Sequence, residues 1–404
     1  MKKLLILAIS IIFVLSLASC DIVDSVFAKG SEGLEYELSE DGKSYTVTGI
    51  GTCEDTNIVI PARYKWKPVT EIAIWAFRDC DSLTSVVIGN NVTEIGHAAF
   101  ARCRSLTSVV IGNSVTKIGE GAFYWCKSLT SVVIPDSVTV IGDAAFAGCD
   151  SLASITVDDN NEYYKSIDGN LYTKDGKKLI QYAIGKSDTE FIIPNGVTEI
   201  GDHALEHSYK TILDPDTGEI ECDPDTGHLL LVGSSNIKKI VIPDSVTKIG
   251  SSAFAWCGSL TSIVIPDSVT EIGNYAFADC DSLTSVVIPD SVTVIGERSF
   301  YSCTNLTSVV IGDSVTEIGS YAFYYCRSLT SVVIGDSVTK IGSYAFCECT
   351  NLTSIVIPDS VTEIGSYAFS NCDSLTIYCE YKPNNGWDMY WNPDPRPVVW
   401  RYEG

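Results

Sequence analysis

SLTSVVIGNNVTEIGHAAFARCR (82–104) is followed without a gap by SLTSVVIGNSVTKIGEGAFYWCK (105–127) and SLTSVVIPDSVTVIGDAAFAGCD (128–150). The pattern resumes with SLTSIVIPDSVTEIGNYAFADCD (259–281) and runs to about Leu375. Phenylalanines mark the period: Phe77, Phe100, Phe123 and Phe146 are 23 residues apart, and so are Phe254, Phe277, Phe300, Phe323, Phe346 and Phe369. Each has a cysteine three residues later, from Cys80, Cys103, Cys126 and Cys149 to Cys257, Cys280, Cys303, Cys326, Cys349 and Cys372. Self-similarity at a fixed period of this length is the mark of a stacked-repeat architecture.

One unit reads as one coil. The spacing of Leu83, Val86 and Ile88 puts them on one face of a strand. Gly89-Asn90, or Pro135-Asp136 in a later unit, turns the chain. Val92-Thr93-Glu94-Ile95 is a second short extended piece, ended by Gly96. Ala99-Phe100-x-x-Cys103 fits one helical or 3-10 turn that drops the phenylalanine inward. A single unit cannot bury its apolar face, but stacked units share a continuous core. The predicted architecture is therefore a β-rich solenoid of 23-residue units, with short strands plus short helical or 3-10 turns. A cysteine recurring at one repeat position behaves as a small buried hydrophobe, and parallel stacking does not favour disulfides between rungs. Unpaired thiols are expected there. Cys53, Cys222, Cys347 and Cys379 fall outside that ladder.

The motif L-T-S-I-x-I-P-x-S-V-T-x-I-G-x-x-A-F-x-x-C resembles the BspA-like leucine-rich repeat family of bacterial surface proteins, over about residues 45–400. The resemblance implies a right-handed leucine-rich-repeat coil. It also implies export, surface exposure, and binding of extracellular-matrix proteins, aggregation or adhesion.

The amino terminus, MKKLLILAISIIFVLSLASC, carries Lys2 and Lys3 and then an apolar run of 14 residues from Leu4 to Leu17. That is shorter than the ~20 residues of a membrane span and fits a signal peptide over 1–19. Leu17-Ala18-Ser19-Cys20 resembles a bacterial lipobox, with Cys20 as the lipidated residue. Residues 20–44 then serve as a tether. Residues 45–150 hold the amino-terminal cap and first repeat block. In 151–258, Asp168-Gly169 and Asp175-Gly176 between apolar runs predict a β-hairpin island, followed by a degenerate repeat and an acidic insert. A second block spans 259–376, and 377–404 forms a Trp/Pro-rich cap with Trp387, Trp391 and Trp400.

With 51 acidic against 27 basic residues and a net charge of −24, the chain repels phosphate backbones, so nucleic acid is not an expected partner. The same charge disfavours anionic headgroups, leaving membrane contact to the lipid. No nucleophile elbow, phosphate loop or dinucleotide motif is present, and no enzyme is expected. His203 and His207 are four apart but lack a third ligand, so no zinc site is read there. In the acidic insert, D-P-D-T-G occurs twice. Asp214, Asp216, Asp223 and Asp225 are candidate calcium ligands, although each copy lacks the third carboxylate and distal Glu of a full loop; the plain reading is an exposed turn-rich hairpin.

Variable aromatics flank the phenylalanines: Tyr124, Trp125, Trp256, Tyr275, Tyr301, Tyr321, Tyr324, Tyr325, Tyr344 and Tyr367. They are candidate partner-binding residues, or else they pack over the turns between rungs. The leading expectation is a lipid-anchored surface protein that binds a protein ligand through the solenoid. A self-associating envelope spacer and a calcium-dependent glycan binder are the alternatives.

Overall fold

The computed structural model describes residues 30–211, 231–233, 235–380 and 386–401. Strands one repeat apart lie side by side. Residues 57–60, 85–88, 108–110, 131–134 and 154–157 form one parallel sheet, with Val86 opposite Val109 and Val132 opposite Ile155. The second short strand of each unit forms another, through 67–72, 94–95, 117–118 and 140–141. The island follows as an antiparallel meander of 164–167, 170–173 and 178–181, turning at Asp168-Gly169. Its last strand carries the second ladder onward through 199–200 to 363–364. The first ladder runs on in shorter pieces that end with 354–357, 376–379 and 398–400.

Parallel in-register stacking places every residue over its counterpart, so like charges would meet along a column. The sequence alternates them instead. Glu94 pairs with Lys117 at 2.7 Å, Lys248 with Glu271 at 2.9 Å and Glu317 with Lys340 at 2.7 Å. Exposed pairs of this kind add little stability each; their value is in holding register. Where Glu71 meets Glu94, burial and then the neighbouring charge raise the Glu71 pKa.

The third side of each coil takes the 3-10 form of the two turns predicted, as separate i→i+3 turns. No helix occurs among the described residues. Bonds of the 3-10 kind are made, such as Ala99 N–H to the Gly96 carbonyl at 3.2 Å and Ala101 N–H to Ala98 at 3.1 Å. Between them, Ala98, Phe100 and Arg102 donate to carbonyls of the next rung at 2.7–2.8 Å. The alternation is possible because the residues two before and two after the phenylalanine take left-handed φ, 49° at Ala98 and 61° at Arg102. Each sits third in an i→i+3 turn, the type II geometry that favours glycine. Left-handed residues interrupt the helical path at every unit, and the released N–H groups cross-link the rungs.

That turn delivers the core. The phenylalanines stack face to face with centroids 5.0–5.7 Å apart. Within each block the Phe carbonyl also accepts the thiol of the next rung's cysteine: Cys103 to Phe77 at 3.0 Å, Cys126 to Phe100 at 3.1 Å, Cys326 to Phe300 at 3.2 Å. The cysteine is thus more than a small hydrophobe, since it donates to an acceptor that water cannot reach. All thirteen cysteines among the described residues are free. Burial pushes the thiols of Cys280, Cys303 and Cys326 up, to about 12 at Cys326, so they stay protonated. Threonine follows the same logic: Thr107 Oγ1 donates to the Thr84 carbonyl at 2.9 Å, and Thr116 Oγ1 to Thr93 at 3.1 Å.

The amino-terminal cap departs from expectation. The tether predicted over 20–44 is partly structured, because Glu35–Leu38 pairs antiparallel with Tyr45–Gly49 as the first strand of the cap. Its alternating Glu, Tyr, Glu pattern was too short to read as a strand. The tail keeps to the backbone repeat: Trp387 bridges Ile364 and the Tyr367 N–H donates to the Tyr390 carbonyl, both one period on. Backbone register persists after the side-chain pattern is lost. Trp391 meets Phe369 edge-on at 6.1 Å, and Trp387 and Trp400 pack on the same core.

Two substitutions test this packing. A Cβ at Gly319 would lie 2.7 Å from the backbone of Gly296 and Glu297, so Gly319→Ala should cost about 2 kcal/mol in urea unfolding. Cys326→Ala removes the donor to Phe300 and should cost about 2 kcal/mol. Cys326→Ser, which keeps a donor, should lose less. Iodoacetamide should label the buried ladder thiols only after denaturation.

Candidate functional site

The candidate aromatics occupy the strained turn. Tyr275, Tyr321, Tyr344 and Tyr367 all sit two residues before a phenylalanine, with φ of 57–59°. Gly121 fills the same position in the first block. An L-residue in this conformation costs roughly 1–2 kcal/mol, and here large rings are held in it at rung after rung.

Stacking makes these rings one object. Tyr321 and Tyr344 lie 4.8 Å apart and within 5° of parallel, and Tyr344 and Tyr367 lie 5.0 Å apart within 9°. Tyr390 extends the stack at 6.2 Å. On the other side Arg298 fills the rung that lacks a tyrosine. Its guanidinium lies 4.5 Å from the Tyr321 centroid and 5.3 Å from that of Tyr275, and Nη1 donates to the Tyr275 hydroxyl at 2.6 Å. The result is a continuous column of Tyr275, Arg298, Tyr321, Tyr344, Tyr367 and Tyr390. Tyr275 and Tyr390 are exposed and the tyrosines between are half-buried. Their faces are spent on one another, so ring edges are what a partner would meet.

A shorter column runs beside it. Tyr301 and Tyr324 stack at 5.2 Å, and Tyr324 lies 5.7 Å from Tyr321. Tyr325 is buried, with Arg327 4.2 Å over its ring. The acids Asp279, Asp281 and Glu348 border this face; Arg327 reaches Glu348 at 3.7 Å.

The remaining aromatics serve the seam between the blocks. Trp125 is buried, and Gly148 leaves room for its ring. Tyr209 packs on Trp125 at 4.7 Å and on Trp256 at 5.1 Å, spanning the gap where the array is interrupted. The Tyr124 hydroxyl donates to Glu206 at 2.9 Å, and Glu206 also meets His203. Burial, then the Glu206 charge, push the Tyr124 phenol far up. Burial alone would lower His203, but the hydrogen bond and charge of Glu206 hold it above its ordinary value. His207, four residues on, is buried and pushed down to about 4 by desolvation.

Cys20 and the aspartates Asp214, Asp216, Asp223 and Asp225 lie outside the described residues. Among the described residues no group of three or more metal-ligating side chains converges. Arg298 and Tyr390 join the column without having been singled out in the sequence. Arg298 was hidden by its charge and Tyr390 by the loss of the phenylalanine pattern. Counting one period on from Tyr275 and from Tyr367 finds both.

The model of the BspA type leucine rich repeat region matches the chain in six copies, over residues 51–173, 231–346 and 316–382. Among solved structures, the chain is similar to a leucine-rich repeat protein from Eubacterium ventriosum. They are 27% identical, the match covers 84% of this chain and 93% of that one, and the TM-score is 0.64. It shares a fold with the pneumococcal vaccine antigen PcpA at 17% identity, covering 93% and 99% of the two chains with a TM-score of 0.52. Comparison with curated proteins finds no match.

The acidic border has a pH signature. Asp81 is met by Arg104 of the next rung at 3.6 Å, but the Asp281 carboxylate there accepts from the neutral Thr304 hydroxyl, at 3.2 Å. Burial raises Asp281 to about 7, and burial plus the Asp281 charge raise Asp279. The folded state thus binds protons that the unfolded state releases. The stability this contributes is complete below the ordinary carboxylate pKa and is lost as pH rises through about 7. Asp281→Asn should therefore melt above the native chain at pH 8, with the difference vanishing near pH 4.

Proposed function

Because the chain belongs to the family of BspA type leucine-rich repeat proteins, we propose that it is an exported, lipid-anchored surface protein that binds a protein ligand through the tyrosine face of its second block. The lipobox at Cys20 and the preceding apolar run support anchoring. The column of Tyr275, Arg298, Tyr321, Tyr344, Tyr367 and Tyr390 carries the binding reading. Tyrosine and arginine are the residue types enriched at protein contacts. The left-handed position recurs in every unit as part of the fold; what sets the second block apart is that it carries tyrosine there at successive rungs. Sugar rings stack on aromatic faces, and here those faces are already occupied, which weighs against the glycan-binding alternative at this site.

The strained conformation supplies a clean test. In the triple variant Tyr321→Gly, Tyr344→Gly, Tyr367→Gly, the lost stacking, ~0.5–1.5 kcal/mol per pair, is offset by relief of left-handed strain of similar size. Melting should change little. The mature chain should bind saturably to one member of a panel of immobilised extracellular-matrix proteins, and the variant at least tenfold more weakly. Absence of saturable binding across the panel, or equal binding by the variant, would sink this reading. Concentration-dependent self-association without ligand would favour the spacer instead, and loss of binding on chelation would bring back calcium.

A further inference from the structure

The first unit carries an addition that the other units lack. Where they turn with Gly-Asn or Pro-Asp, residues 63–68 form a small hairpin, with Arg63 opposite Pro68 and Tyr64 opposite Lys67. Its two-residue tip is Lys65-Trp66, with φ of 46° and 70°. Positive φ at both positions is the type I′ geometry that ordinarily takes Asn-Gly. A lysine and a tryptophan there are the strained choice. Trp66 buries nothing in return, for it is 94% exposed.

The hairpin is held rigidly at its base. Tyr64 stacks on Tyr36 at 3.9 Å and meets Tyr45 edge-on at 5.1 Å. Arg63 donates to the Trp66 carbonyl at 3.2 Å, closing the tip. The Lys67 ammonium donates to the Gly42 carbonyl, while Arg63 and Lys65 are exposed. A chain of net charge −24 thus places three basic residues among the five of Arg63–Lys67, around its most exposed tryptophan.

The position of the hairpin is as telling as its chemistry. The chain enters the solenoid beside it: the Ser31 N–H donates to the Val59 carbonyl at 3.0 Å, and Gly30 lies against Pro61. Ten residues separate Cys20 from Gly30, a span of at most ~35 Å. Whatever surface holds Cys20 is within reach of Trp66. An open recess of ≈ 430 Å³ lies between the entering chain and the hairpin, with Arg63 and Lys65 on its wall. Tryptophan flanked by Lys and Arg is the composition that settles at a membrane–water interface.

We propose that the Arg63–Lys67 hairpin is a lipid contact: Trp66 enters the interface of the membrane that carries the chain, and Arg63, Lys65 and Lys67 meet anionic headgroups. This rests on the anchored reading of the amino terminus. Each basic residue near an anionic surface contributes too little to hold the protein alone. The tether supplies the effective concentration, and the hairpin sets orientation, fixing the amino-terminal end of the solenoid at the lipid and leaving the tyrosine face of the second block further out.

The test replaces the lipid. The chain from residue 21, with an amino-terminal hexahistidine, is tethered to vesicles containing nickel-chelating lipid and brominated phosphatidylglycerol or brominated phosphatidylcholine. Tryptophan fluorescence should be quenched on the anionic vesicles. Trp66→Ala should abolish the quenching without altering melting, and 0.5 M salt or the triple variant Arg63→Gln, Lys65→Gln, Lys67→Gln should at least halve it. Quenching that Trp66→Ala leaves intact, or none in the tethered native chain, overturns the proposal. So does self-association of the untethered chain that Trp66→Ala abolishes, which would make the tip a contact between copies. Because the tether is synthetic, the result is independent of lipidation. That is tested separately by whether Cys20→Ala releases the chain from cells.

Discussion

Each phenylalanine lies flat against the one a repeat away, and the backbones that carry them approach closely enough for N–H groups of one rung to bond to carbonyls of the next. This close, in-register approach governs the rest. It demands glycine after the second strand, where any side chain would strike the neighbouring rung. It seals Phe carbonyls from water, which is why the cysteine of the next rung donates its thiol to them. It makes surface columns of whatever stands at one repeat position, so that charges must alternate and aromatic rings must stack.

The same constraint separates structural from functional residues. Leu, Val, Ile, Phe and Cys positions hardly vary because each faces its own copy above and below. The positions flanking the phenylalanine point outward from a left-handed turn and are free to differ. In the first block the position two before it holds Trp75, Ala98, Gly121 and Ala144, and Trp125, two after Phe123, is spent on the seam with Tyr209. In the second block they hold tyrosines and an arginine in an uninterrupted column. A periodic scaffold thereby turns single substitutions into an extended surface. The hairpin at Lys65-Trp66 achieves something comparable without repetition, by placing one tryptophan on a rigid, strained tip.

Much of this was legible before any coordinates. The 23-residue spacing of Phe77 to Phe146 and Phe254 to Phe369 is enough to imply stacked coils, a shared core and unpaired cysteines. Asp168-Gly169 was readable as a hairpin turn because that dipeptide is preorganised for it. The spacing around Phe100 left a helical and a 3-10 turn open, because i, i+1, i+4 spacing does not reveal the left-handed φ at Ala98 and Arg102. Glu35–Leu38 escaped notice because a short edge strand with glutamates is patterned like a linker.

The sequence by itself determined the period, the core and the identity of every rung, because identical units leave one arrangement in which all their apolar faces are shared. Only the tertiary structure decided which aromatics serve packing and which remain accessible. Tyr124 and Tyr321 sit at neighbouring places in the same motif, yet one is tied to Glu206 across the seam and the other joins an open column. That difference is set by the rungs stacked above and below each residue, whose contents the local motif does not contain.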